Sequence, residues 1–204
     1  MTQTSLIQFQ TKCQLPTQWA NFELNVFLEP STGKEHLALV LGSIDEETPV
    51  LLRMHSECMT GDTLFSQRCD CGQQLEKSLK IIGEAGRGIL LYLRQEGRGI
   101  GLVNKIKAYA LQDQGLDTVE ANLHMGFMDD QRSYSFCKEI LDYFGVKKVD
   151  LLSNNPRKID ALTAMGYDVE RIALQTPNNE HNRFYLSTKV KKLGHFSDLE
   201  ALLN

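Results

Sequence analysis

The chain has 204 residues, 42% hydrophobic and 24% charged, with 15 Gly and 5 Pro; this excludes a fibrous repeat or a disordered segment and fits one compact unit with its own core. A net charge of −4 argues against a general binder of nucleic-acid backbone, which needs clustered excess Lys and Arg, yet allows a small anionic ligand at a locally basic site. No stretch approaches the roughly 18 apolar residues of a membrane span, and the N-terminal MTQTSLIQFQTKCQLP lacks a basic region followed by a long apolar run, so the expectation is a cytoplasmic protein with neither a membrane nor a nucleic-acid partner.

The first third reads as strands and turns. NFELNVFLEP, the turn STGKE, HLALVLGSI, the acidic turn DEET and PVLLRMHSE are apolar runs of strand length separated by turn chemistry, and they predict an antiparallel meander. From Asp70 the pattern changes to alternating helix and strand. DCGQQLEKSLKIIGEAG predicts a helix with Asp70 near its cap and glycines at its end, and GILLYLR a buried strand. LVNKIKAYALQDQG predicts a helix with Ile106, Tyr109 and Ala110 on one face. SYSFCKEILDYFG predicts another, KKVDLLS a strand, and PRKIDALTAMG a helix with Pro156 in its first turn and Gly166 past its end. The tail TPNNEHNRFYLSTKVKKLGHF is polar and basic without a decisive pattern, and SDLEALLN reads as a short terminal helix. The fold expected is α/β, a mixed sheet flanked by helices, with an N-terminal antiparallel strand region.

Three of the five cysteines fall in HSECMTGDTLFSQRCDCG. In a reducing compartment such a cluster points to a metal or to chemistry rather than to a disulfide scaffold, whereas the isolated Cys13 and Cys137 read as ordinary thiols. Thiolates at Cys58, Cys69 and Cys71 suit zinc. Three ligands leave a fourth position for catalysis, unless His55 or a remote histidine closes the site as a structural one. His55-Ser56-Glu57 also approaches the H-x-E signature of zinc nucleobase deaminases, but the later pair is C-x-C and follows Arg68 instead of Pro.

Two strand-to-helix junctions can receive an anion. RQEGRGIGL places glycines, Arg94 and Arg98 at a helix entrance, yet matches neither a dinucleotide fingerprint nor a P-loop. SNNPRK offers Asn155 as a cap and Lys158 as a cation. In GFMDDQRSY, Asp129 or Asp130 reads as the cap of the next helix, with Arg132 in its first turn. Together these junctions suggest a polyphosphate at the carboxyl ends of the strands, hence a nucleotide.

Taken in order over about residues 50 to 195, RMHSE with Cys58, SQRCDCGQQL, LRQEGRGIGLVNKIKAYALQDQGLDTVEAN, the GF-x-x-D-x-R segment, SNNPRK and NRFYLSTKVKKLGH resemble the GTP cyclohydrolase II family, which opens riboflavin biosynthesis. The resemblance implies one Zn2+ per subunit on Cys58, Cys69 and Cys71, and GTP contacts from Arg53, Met54, His55, Ser56, Glu57, Gln74, Glu96, Gly97, Arg98, Thr118, Ser153 and Lys158. It further implies Asp130 as proton acceptor, Arg132 as nucleophile and Tyr109 in ring opening; because a guanidinium is a poor nucleophile, electrostatic stabilisation by Arg132 stands open beside covalent attack. The implied enzyme is a homodimer that uses Mg2+ with the triphosphate and releases formate and pyrophosphate from GTP. Its single domain would span 1–204: a strand-rich region (1–52), a catalytic core (53–195) and a tail (196–204). Ser153 stands where threonine is common and keeps the hydroxyl, the 175–182 stretch QTPNNEHN departs from the family pattern, and the first fifty residues match loosely.

Overall fold

The computed structural model describes residues 5–196; the expected helix SDLEALLN lies outside them. Among the described residues, seven strands form one mixed sheet in the order β1-β2-β3-β5-β4-β6-β7. The expected α/β class is therefore observed. Strands β1 (Gln8–Pro16), β2 (Asn21–Glu29) and β3 (Lys34–Leu41) make an antiparallel meander. The β2–β3 turn needs Gly33 at φ 68°, which costs a residue without Cβ little.

The meander stops there, against expectation. Strand β4 (Val50–Ser56) does not pair with β3; β5 (Gly88–Leu93) lies between them, antiparallel to β3 and parallel to β4. The physical reason is burial on both faces: Val50, Leu52, Arg53, Met54 and His55 are all buried, as befits a central parallel strand rather than the alternating strand of a meander. Strands β6 (Lys148–Leu152) and β7 (Asp168–Ile172) continue the parallel half.

Neighbouring residues of a strand serve opposite cores. Leu90 and Leu152 join Phe22, Leu79 and Ile82 under helix α2 (Cys71–Ala85), after the short helix α1 (Met59–Asp62). Leu91 and Leu151 join Phe27, Leu52, Ile140, Leu141 and Leu162 on the other face. That face is covered by α5 (Cys137–Tyr143) and α6 (Pro156–Ala164). As expected, α2 ends at Gly86 in the left-handed region and α6 begins with Asn155 as cap and Pro156 in the first turn. Asp70 holds the cap position of α2 but its carboxylate does not cap; it turns to Lys189 and Gln74.

Two helical expectations are corrected. In α3 (Gly101–Gln112) the inward residues are Lys105 and Ala108 with Tyr109 half-buried, while Ile106 is 47% exposed and Ala110 is exposed. The helix lies over a polar cleft instead of an apolar core, so its inner face carries site chemistry and its aliphatic residues face outward. Helix α5 starts at Cys137, and neither Asp129 nor Asp130 caps it: Phe136 holds the cap position with no side-chain bond. Arg132 accordingly lies outside any helix, its guanidinium clasping Asp130. Helices α4 (Thr118–His124) and α7 (Arg183–Leu193) complete the described chain.

Candidate active site

Parallel strands deliver all their carboxyl ends to one edge of the sheet, and a cleft forms there. It is lined by the ends of β4 (Arg53, His55, Ser56), the segments following β5 (Gln95 to Arg98) and β6 (Ser153 to Asn155), the inner face of α3, and Tyr185, Lys189 and Leu193 of α7. Six cationic side chains, Arg53, Arg98, Lys105, Arg132, Lys158 and Lys189, face it against the two carboxylates Glu57 and Glu96. A chain of net charge −4 thus concentrates cations at one place, the condition for a polyanionic ligand.

At one end of the cleft, Cys58, Cys69 and Cys71 bring their sulfurs within 4.8 Å of one another. Cys58 Sγ and Cys69 Sγ are 3.7 Å apart, far beyond a disulfide and close to the roughly 3.8 Å that separates two sulfurs bound to one tetrahedral Zn2+. Glycine makes the convergence possible: a Cβ on Gly61 would stand 2.9 Å from Cys69 Sγ and 3.3 Å from Cys58 Sγ. Hydrogen bonds from Cys69 and Cys71, aided by Lys105, push the Cys58 thiol far down, while its neighbours are pushed up by sharing that proton-poor sulfur. The donor set therefore fits a thiophilic dication.

His55 is not part of the sulfur group. Its Nε2 lies 3.0 Å from both oxygens of Asp62, and the same carboxylate accepts bonds from Tyr92 Oη at 2.9 Å and from the Cys58 N–H at 2.9 Å. Nδ1 of His55 is buried without a partner. Asp62 thereby fixes the imidazole, the turn before the first thiol and the Tyr92 phenol together.

The rest of the cleft collects donors. Arg53 is buried, donating to Leu152 O at 2.9 Å and Gln74 Oε1 at 2.6 Å. Burial lowers its pKa to about 10, so it stays charged at neutral pH. Lys158 donates to Met54 O at 2.6 Å. Burial, then Arg53, Arg132 and Lys189, push its pKa well below the ordinary value. Between Glu96 and Gly99 the chain kinks through the left-handed region, with Gly97 at φ 63° and Arg98 held at φ 59° and ψ 33°, a conformation costly for a residue with Cβ and typical of functional loops. Arg98 Nη1 donates to Asp129 O at 3.3 Å, and Nη2 is buried without a partner.

Asp130 sits behind Arg132, which donates to it from Nε at 2.8 Å and Nη2 at 2.6 Å. Burial pushes the Asp130 carboxyl up, but Arg132 outweighs it and holds the acid below its ordinary value. Burial likewise opposes the Arg132 charge, and Tyr134 and Asp130 overcome it. Tyr109 Oη lies 3.3 Å from Thr60 Oγ1, and burial keeps the phenol protonated.

The family model described as GTP cyclohydrolase II matches residues 8–173. The chain belongs to the GTP cyclohydrolase II family. It is 58% identical over 190 residues to a protein named GTP cyclohydrolase-2 from Pseudomonas putida (strain W619), covering 93% of each chain. It is 57% identical over 195 residues to "Riboflavin biosynthesis protein VVA0006" of Vibrio vulnificus, covering 95% of this chain and 53% of that one; the chain thus spans about half the length of this relative. A solved structure, RibBX, a two domain 3,4-dihydroxy-2-butanone 4-phosphate synthase from A. baumannii, overlaps 86% of this chain and 42% of its own at TM-score 0.49 and 21% identity, too partial to bear on the chemistry. As expected from its motifs, the chain is an enzyme of the GTP cyclohydrolase II family.

Nearly every residue that the sequence nominated for the site lines the cleft; Met54 and Asp130 do not. Met54 turns its side chain into the core and offers only its carbonyl, to Lys158. Thr118 lines the cleft as the first residue of α4, and Ser153 Oγ accepts the Asn155 N–H at 3.0 Å, shaping the next helix entrance. Sequence reasoning missed Asp62, Lys105, Tyr185, Lys189 and His195. Of these, Lys105 carried a usable signal, its i, i+4 spacing from Tyr109 on one helix face.

Proposed function

We propose that this chain is a zinc-dependent hydrolase that converts GTP to 2,5-diamino-6-(5-phosphoribosylamino)pyrimidin-4(3H)-one, releasing formate and pyrophosphate in the first step of riboflavin biosynthesis. The carrying observation is that three convergent thiols and six cations share one cleft. Zn2+ on Cys58, Cys69 and Cys71 would supply Lewis-acid chemistry with one open coordination position for hydrolytic loss of the imidazole carbon. Tyr109, a protonated phenol beside the thiol cluster, serves as a donor to the opening ring.

The triphosphate lies against Arg98, Lys158 and Lys189, which neutralise charge on the leaving pyrophosphate, and Mg2+ carried in with the nucleotide would add to that neutralisation. Arg132 works as an electrostatic stabiliser in this reading. A guanidinium clasped at Nε and Nη2 by an ionised carboxylate keeps its proton and makes a poor nucleophile, and Asp130, held as carboxylate, orients it. Arg53, Gln74, Glu57 and Thr118 remain proposed contacts to GTP.

We also read the chain as a cytoplasmic homodimer whose one domain spans 1–204, with 1–52 and 53–195 sharing a sheet. The outward Val103, Ile106 and Ala110 of α3 support the dimer, which sedimentation would test. The decisive experiment incubates purified, metal-analysed protein with GTP and Mg2+ and assays formate, pyrophosphate and the pyrimidine. Ammonia without formate would indicate a purine deaminase instead, and unchanged GTP on zinc-loaded protein a binding protein.

A further inference from the structure

Lys105 is the one cation of the cleft that donates a hydrogen bond to a cysteine sulfur among the described residues. It is 8% exposed, on the inner face of α3. Its Nζ donates to Cys58 Sγ at 3.0 Å and to Glu96 Oε1 at 2.8 Å. Glu96 is itself fixed: its Oε2 accepts the Met59 N–H at 2.7 Å and its Oε1 the Gly97 N–H at 2.8 Å. The carboxylate is thus supplied with two backbone donors before the lysine arrives, and the ammonium reaches past it to the thiol.

The charges around the sulfur group explain why a cation belongs there. Three thiolates around a dication leave one net negative charge in a buried site, and an uncompensated buried charge is costly. Lys105 is the cation that donates to that group directly, while Arg53, Lys158 and Lys189 act on Cys71 without a hydrogen bond to it. From this geometry we propose that Lys105 is a positioning residue for the metal site, its ammonium holding Cys58 as a ligand and compensating the excess negative charge, with Glu96 as the anchor that sets the ammonium in place. The proposal rests on the reading of the three cysteines as a zinc site. It also gives Glu96 a task its side chain is visibly committed to, joining the loop after β5 to the first metal ligand.

The outer partners of metal ligands shift affinity by about 10- to 100-fold when removed. The test measures zinc affinity by competition with a chromophoric chelator, and the thiolate-to-metal charge-transfer band of the cobalt-substituted protein, in the parent and in Lys105→Met. A zinc affinity lowered about 10- to 100-fold with a shifted cobalt band is expected. Lys105→Gln, which keeps an N–H donor and drops the charge, takes the place of Lys105→Met if that variant does not fold, and the same loss is expected of it. Glu96→Gln should weaken zinc by a smaller factor. A folded variant without the Lys105 charge that holds zinc within about twofold of the parent, its cobalt band unshifted, overturns the proposal and leaves the zinc reading intact. A parent protein that binds no zinc overturns both.

Discussion

The thiol end of the cleft and its cationic remainder, the proposed phosphate end, draw on different amounts of chain and are left in different electrostatic states. Cys58, Cys69 and Cys71 belong to one short segment, and most of their surroundings are matched by the protein: Lys105 faces Cys58, and Asp62 takes up His55 Nε2, Tyr92 and the Cys58 N–H, with His55 Nδ1 the polar atom left over. Elsewhere in the cleft, Arg53, Arg98, Arg132 and Lys158 come from β4, the turn after β5, the segment before α5, and α6. There Arg53 Nε and Arg98 Nη2 are buried without partners, and Lys158 is crowded by burial and three other cations. A permanent resident is prepared for by the fold itself. A transient polyanion is prepared for by leaving cations uncompensated, so that the ligand completes the site at some expense to the stability of the free protein.

The largest expected effect separates the two ends. Cys58→Ser should lose zinc and bring formate production below detection, while GTP affinity stays within about threefold, as for independent sites. Metal analysis, a formate assay and calorimetric titration with GTP measure these together. Loss of GTP binding along with zinc would show that the ends are one unit and break the contrast.

Next comes Lys158→Met. Removing a charged donor from the phosphate end should raise KM for GTP about 10- to 100-fold, the worth of a hydrogen bond to a charged group. Stability should move the other way. The folded protein depresses the Lys158 pKa below its ordinary 10.5, so between the folded value and 10.5 the unfolded chain binds more protons and wild-type stability rises with pH; below the folded value the full penalty persists. The variant should therefore flatten that rise and gain most at the acidic side, by about 1 kcal/mol or more, offset in part by the Met54 carbonyl left without its donor. Melting temperature against pH, with and without pyrophosphate, measures it. A uniform fall in Tm at every pH would mean that Lys158 is well compensated in the free fold.

The same contrast governs what could be read in the sequence. The cysteines were legible because their spacing is local, and β2 to β6, α2 and α6 because apolar runs, Asn155-Pro156 and Gly86 mark them locally. Sheet order was not legible: nothing within β4 says that β5 will pair beside it, and the partner is chosen by burial of both faces. Exposed β1 and β7 lack a core-facing pattern, and α7 is polar. Asp62, Lys105 and Lys189 were missed for a related reason, since each gains its role from a side chain met only after folding. The inner face of α3 was misjudged because hydrophobicity was taken to point inward where the interior is a polar cleft.

The smallest expected effect probes how far the phosphate end extends. Asp117 accepts the N–H groups of Val119 at 2.8 Å and Glu120 at 3.0 Å, and Glu120 returns a bond to the Asp117 N–H at 3.0 Å, a complete capping box for α4. The same carboxylate pairs with Lys192 of α7, the helix that carries Tyr185 and Lys189 into the cleft. Asp117→Ala should cost about 1 kcal/mol for the cap and lower Tm by about 2–4 °C. The half-exposed Lys192 pair adds little to that stability. Its loss should be felt as an approximately twofold rise in KM for GTP, because α7 and Thr118 are held less firmly over the phosphate end, with zinc content unchanged, because Lys189 keeps its own bond to Asp70 between Cys69 and Cys71. A fall in Tm with KM unchanged would confine that end to the strand termini and α6; a fall in zinc content would show that α4 and α7 brace the thiol end too, and that the two ends share a frame.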